Sequence, residues 1–179
     1  MIVLETPLID ASVITVDKYE DDRGFFMESF NEDQFLKEIG SYKFVQDNHS
    51  KSSKGVLRGL HYQLEKPQGK LMRCIQGAVY DVIVDLRKSS ETFGLWFDVT
   101  LDNPETIMWV PPGFAHGFYT LTDTAEFEYK CTDYYHPKSM KTLMWDDPDL
   151  GITWPTLDKP LLSEKDAIGE TFKECEKYE

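Results

Sequence analysis

Short runs of apolar or alternating apolar and polar residues, broken by Gly, Pro, Asn and Asp, recur along the chain. They occupy 11–16, 24–30, 43–48, 56–63, 70–76, 78–86, 95–101, 106–110 and 125–135. Period-two alternation at this length is the signal of a strand. About nine strands at such spacing predict an all-β sandwich, jelly roll or barrel. Helices are few. Residues 31–39 open on Asn31 and close before Gly40, which predicts one short helix. The run Ser163-Glu164-Lys165-Asp166 has the form of a capping box and predicts a second, running toward Cys175. Strands and long helices do not alternate and no G-x-G-x-x-G occurs, which argues against a parallel dinucleotide-binding sheet. No repeat, low-complexity tract or linker divides the 179 residues, and one domain over 1–179 is expected.

Strand parity then sorts side chains into faces. In 125–135, Ala125, Phe127, Tyr129, Cys131, Asp133 and Tyr135 fall on one face, and Glu126, Glu128, Lys130 and Thr132 on the other. The first set is the apolar one, so Tyr129 is expected to point inward, as a proton donor or as a core tyrosine with a satisfied hydroxyl. Phe114, His116 and Phe118 alternate likewise, which puts His116 between two aromatics. Arg58 and His61 are three apart and would face opposite sides; both line one cavity only if the strand bulges, and Gly59 is the place for that.

Composition narrows the partners. The net charge of −13 argues against nucleic acids. Yet residues 51–80 hold six bases (Lys51, Lys54, Arg58, Lys66, Lys70, Arg73) against one acid, Glu65, so this segment is +5 and the remainder −18. Such a local field suits a small anionic ligand such as a nucleotide diphosphate. No stretch approaches a membrane span, and the N-terminal residues lack signal-peptide character. Cys74, Cys131 and Cys175 are odd in number and far apart, which reads as reduced thiols in a cytoplasmic protein.

Four histidines are present: His49, His61, His116 and His136. None pairs with another at ligand spacing, so metal-dependent chemistry is disfavoured. A lone histidine is ordinarily a hydrogen-bonded structural side chain. His61 stands apart because it lies in the basic segment beside Arg58, where a side chain that exchanges protons near neutral pH has a use.

The motifs D-D-R-G-F-F-M-E-S-F, F-V-Q-D-N-H-S, V-L-R-G-L-H-Y-Q, Q-G-K-L-M-R-C, V-D-L-R, P-P-G-F-A-H-G-F, Y-K-C-T-D-Y-Y, W-D-D-P and L-S-E-K-D follow one another in order. Together they resemble the dTDP-4-dehydrorhamnose 3,5-epimerase family. The resemblance implies a cupin-type jelly roll, a homodimer, and no required metal or organic cofactor. It implies that His61 is the general base, Asp166 its orienting partner, Tyr129 the general acid, and Lys70 the cation beside the enolate oxygen. It matches Arg23, Glu28, Gln46, Asn48, Arg58 and His116 to substrate contacts, and Phe26 and Tyr135 to aromatic contacts, Tyr135 stacking on thymine. The implied ligand is a dTDP-linked 4-dehydro-6-deoxy sugar. Met140 stands where the family often has an acid, which leaves the exact substrate and the number of inverted centres open. A single-centre epimerase, a metal-dependent cupin enzyme and a non-catalytic sugar-nucleotide binder are the alternatives.

Overall fold

The computed structural model describes residues 1–155 and 159–179. Among the described residues thirteen strands form: β1 (Ile2–Glu5), β2 (Ser12–Thr15), β3 (Lys18–Asp21), β4 (Gly24–Met27), β5 (Gln46–Ser53), β6 (Leu57–Gln63), β7 (Lys70–Gln76), β8 (Val79–Asp85), β9 (Trp96–Leu101), β10 (Thr106–Val110), β11 (Phe114–Thr120), β12 (Thr124–Cys131) and β13 (Met140–Thr142). A six-stranded sheet runs β1-β2-β10-β7-β12-β5, and a five-stranded sheet runs β13-β6-β11-β8-β9. Strands β3 and β4 form a separate hairpin. The two large sheets stack face to face as a cupin-type jelly roll.

The core between the sheets comes from alternate residues of each. Met72, Cys74, Met108, Ala125 and Phe127 point in from the six-stranded sheet, and Val79, Ile83, Leu101, Phe114 and Phe118 from the five-stranded one. Each large side chain buried there stabilises the fold by roughly 1.5–3 kcal/mol. The outer face of the five-stranded sheet presents Leu57, Leu60, Val82, Val84 and Ala115, and the C-terminal third covers it with Leu143, Leu150, Trp154 and Cys175. On the outer face of the six-stranded sheet, Ile14, Leu71, Ile107 and Trp109 pack under Phe35. Phe35 belongs to the one α-helix among the described residues, α1 (Glu32–Glu38). The backbone N–H of Gln34 donates to the Asn31 side chain at 3.1 Å, capping it as expected. No helix among the described residues is long and apolar enough to cross a membrane.

Three expectations need correction. Four strands exceed the nine runs: β1, β3, β11 and β13, all short except β11, whose alternation had been read only as a pattern around His116. The second helix does not form. Residues 166–168 make a single 3-10 turn, and the chain leaves at Gly169 in an extended conformation. Strand β12 ends at Cys131, so the parity that holds from Ala125 to Cys131 does not carry to Asp133 and Tyr135.

Candidate active site

One cavity of about 480 Å³ opens between the two sheets. The five-stranded sheet supplies Arg58 and His61 from β6 and His116 from β11. The six-stranded sheet supplies Ser50 from β5, Lys70 from β7 and Tyr129 from β12. A C-terminal strap adds Leu161, Ser163, Lys165, Asp166 and Tyr178.

The expected bulge brings Arg58 and His61 to the same side. In β11 only two steps separate His116, opposite His61, from Phe118, opposite Arg58, whereas β6 spends three. The extra residue lets Leu57 and Leu60 stay on the outer face while Arg58 and His61 both reach the cavity. Gly59 makes this possible. Its φ is +117°, and a Cβ there would lie 2.6 Å from Gly117 Cα and 2.7 Å from the His116 carbonyl oxygen.

His61 Nε2–H donates to Asp166 Oδ1 at 2.5 Å. Asp166 is buried, and its second oxygen accepts from Ser163 Oγ at 2.6 Å. Burial alone would raise the Asp166 pKa, but the hydrogen bonds from His61 and Ser163 outweigh it and hold the group as a carboxylate. An ionised acceptor at Nε2 leaves the lone pair of the neutral imidazole on Nδ1, the arrangement a base requires. Burial also pushes the His61 pKa down, against the pull of Asp166, so the ring is neutral at pH 7. The Ser163 and Asp166 pair retains part of the capping geometry, since Asp166 N–H donates to Ser163 Oγ at 3.3 Å. The structural and the site-building readings of Asp166 therefore coexist.

A second imidazole–carboxylate pair lies alongside, in a place the sequence reading missed. His116 Nε2–H donates to Asp81 Oδ2 at 2.7 Å, and both residues are buried. Asp81 Oδ1 has no hydrogen-bond partner among the described residues. The signal was available: Asp81 shares the inward face of β8 with Val79 and Ile83, and a carboxylate on an apolar face calls for a reason. Burial lowers the His116 pKa too.

Lys70 is buried, its pKa pushed down by burial, and it forms no ion pair among the described residues. Tyr129 is inward-facing as expected, and burial pushes its hydroxyl up to about 12, so it carries its proton throughout the neutral range. Tyr135 reaches the cavity mouth half exposed, and Met140 lines the same wall from β13. Gln46 and Asn48 lie on β5 just beyond the lining, bonded to each other at 3.1 Å. Arg23, Phe26 and Glu28 are not brought to this cavity. Arg23 sits at the tip of the β3–β4 hairpin, paired with Asp21; Phe26 is 71% exposed; Glu28 accepts from Asn31 at 3.1 Å. Among the described residues, no three His, Cys, Asp or Glu side chains gather as metal ligands.

Two imidazoles on one sheet face a phenol and a lysine on the other. Such a set is suited to moving protons on a bound carbon acid without changing its oxidation state, the chemistry of an isomerase on a cupin-type fold. The family model described as dTDP-4-dehydrorhamnose 3,5-epimerase matches residues 5–174. The chain belongs to that family. It is 51% identical over 178 residues to the dTDP-4-dehydrorhamnose 3,5-epimerase of Neisseria gonorrhoeae, covering 99% of this chain but 54% of that relative, about half its length. It is 49% identical over 181 residues to the Shigella flexneri enzyme of the same name, covering 99% of each. The crystal structure of a Legionella pneumophila dTDP-6-deoxy-D-glucose-3,5-epimerase, in complex with dTDP-4-keto-L-rhamnose, superposes with a TM-score of 0.94 at 45% identity. It covers 97% of this chain and 94% of that one.

Proposed function

We propose that this protein epimerises a dTDP-4-dehydro-6-deoxyhexose at carbons 3 and 5, converting dTDP-4-dehydro-6-deoxyglucose into dTDP-4-dehydrorhamnose for deoxysugar biosynthesis. The observation that carries this reading is the placement of His61 and Tyr129 on opposite sheets around one cavity. A ketone at carbon 4 acidifies the protons on its neighbours. Neutral His61, held by Asp166, removes one through Nδ1. The enolate that forms develops charge on the carbon-4 oxygen, which the buried ammonium of Lys70 stabilises in a low-dielectric site. Tyr129 returns a proton from the other face, and the centre inverts. Repeating the sequence on the second carbon uses the same groups.

Binding falls to residues around the mouth. Arg58 offers a guanidinium fork to the diphosphate, and Tyr135 a ring on which thymine stacks. Arg23, Phe26 and Glu28 fit the same task only if a second copy supplies them. The β3–β4 hairpin exposes Tyr19, Phe25 and Phe26, and the edge strand β1 exposes Ile2 and Leu4, which supports a homodimer with shared β edges. Three buried free thiols suit a reducing, cytoplasmic setting.

Incubation with dTDP-4-dehydro-6-deoxyglucose in deuterated water, followed by NMR, tests the assignment. Inversion with one deuteron at carbon 3 and one at carbon 5 is expected. Incorporation at a single carbon would make it a single-centre epimerase, and none would remove the reading. Sedimentation as a stable monomer at micromolar concentration would remove the dimer.

A further inference from the structure

Arg58 and the groups that hold it belong to different sheets. Arg58 is on β6 of the five-stranded sheet, and its guanidinium reaches β5 of the six-stranded one. There Nε–H donates to Ser52 Oγ at 3.0 Å, and Nη2–H donates to the Lys51 carbonyl at 3.5 Å. The turn that joins the two strands is itself pinned through its backbone. Lys54 N–H donates to the Asp123 carbonyl at 3.1 Å and Gly55 N–H to the Thr120 carbonyl at 3.0 Å, while the Gly55 carbonyl accepts from Leu161 N–H at 2.8 Å. Donor and acceptors are therefore brought together by a fixed frame. Ser50, two residues earlier on β5, lines the cavity, whereas Ser52 is only 5% exposed and does not.

A guanidinium carries five N–H donors in a planar fork. Nε–H and one Nη2–H make up its side edge, and here both are turned to β5. Of the three donors that remain, one on Nη1 and one on Nη2 form the terminal edge, which matches a pair of phosphate oxygens. We infer that Ser52 is a positioning residue: it holds Arg58 by the side edge and reserves the terminal edge for the diphosphate. The inference rests on the proposed role of Arg58 as the diphosphate contact. Its physical basis is entropic. An exposed arginine must give up rotamer freedom to grip an anion, and one already oriented gives up less. A hydroxyl suits this task because it accepts the Nε–H without bringing a negative charge. A carboxylate in its place would neutralise the guanidinium and compete with the phosphate.

The test is a double-mutant cycle on the full chain, with dTDP and thymidine as probes. Ser52→Ala is expected to weaken dTDP binding and raise KM by about threefold to tenfold, with kcat at saturation kept and thymidine affinity unchanged. On an Arg58→Met background, Ser52→Ala should have no further effect on dTDP affinity. A further loss in that background would overturn the proposal, because Ser52 would then act on the ligand without Arg58. An equal loss of thymidine binding would overturn it as well, since the disturbance would not be confined to the diphosphate. Parental dTDP affinity with only a lowered Tm would leave Ser52 purely structural, and this too would overturn it. If instead Arg58→Met alone binds dTDP as tightly as the parent protein, the diphosphate role of Arg58 falls, and the positioning role falls with it. That outcome is separate from the others because it is read without altering Ser52.

Discussion

The cavity contains two imidazole–carboxylate pairs that share one kind of hydrogen bond and differ in how the carboxylate is held. Asp166 arrives from the irregular strap, and both its oxygens are satisfied, by His61 and Ser163. Asp81 arrives from the middle of a core strand, and one of its oxygens has no partner. His61 keeps about a quarter of its side chain open, and His116 keeps 7%. A satisfied carboxylate behind a reachable ring is equipped to fix a tautomer and work repeatedly. A half-satisfied one behind a buried ring is costly. Burying such a charge costs several kcal/mol, as much as two or three core side chains return. Its reward must come from the field it places near Lys70, His116 and the developing enolate. In the proposed reaction the first pair would serve proton transfer and the second electrostatics.

The largest expected effect breaks the first pair. His61→Asn should abolish both solvent exchange and epimerisation, a loss of about 10³–10⁴-fold. Asp166→Asn should lower turnover by about 10³-fold with little change in Tm, because an amide donating to Nε2 would force the imidazole proton onto Nδ1 and remove the base. A variant that melts early but turns over normally would make Asp166 structural. Next in size is Tyr129→Phe, with inversion down by about 10²-fold while exchange at carbon 3 or 5 persists, since the enolate still forms and His61 can return a deuteron to the original face. Wild-type inversion in this variant would mean another group is the acid.

The pH profile sharpens the comparison further. Burial lowers the Lys70 pKa from its ordinary 10.5 and raises that of Tyr129 to about 12, so the ammonium is the first of the two to be lost as pH rises. The basic limb of kcat should thus belong to Lys70, moving upward in Lys70→Arg and staying put in Tyr129→Phe. The acid limb should lie below 6.5, where His61 protonates. Opposite responses of the basic limb would reverse the assignment. The smallest effect is expected at the second pair. Asp81→Asn should cost about tenfold in kcat and leave Tm unchanged or raised by a few degrees, because a neutral amide can still accept from His116 and no longer buries a carboxylate with one oxygen unsatisfied. A loss as large as that of Asp166→Asn would make the two pairs equivalent.

What the sequence revealed follows the reach of local rules. Period-two alternation located the long strands, and parity placed Tyr129 and His116 indoors, because those rules act within one strand. The bulge at Gly59 was legible for the same reason: two cavity residues an odd number apart demand it. Parity failed at Tyr135, where the strand had already ended. It put Asp81 on an inward face but could not name its partner, which is on a neighbouring strand. The S-E-K-D box predicted a helix where only a 3-10 turn forms, and it could not show that the Asp166 carboxylate also reaches an imidazole 105 positions away. Arg23, Phe26 and Glu28 were legible only as family motifs. Their distance from the cavity belongs to the hairpin and could not be read from the residues themselves.

The strap has a consequence for the life of the molecule. Strands β6, β7, β11 and β12, with His61, Lys70, His116 and Tyr129, all leave the ribosome before Asp166 does. Residues 159–179 then attach through isolated bridges at Val56–Leu161, Leu143–Glu170 and Arg87–Tyr178, as the C-terminal third closes over the apolar back of the five-stranded sheet. Until that closure the nascent chain displays Leu57, Leu60, Val82 and Val84, the kind of surface that chaperones and proteases detect. The segment that hides this surface also brings the carboxylate to His61. A molecule that has hidden this surface therefore also has Asp166 in place beside His61.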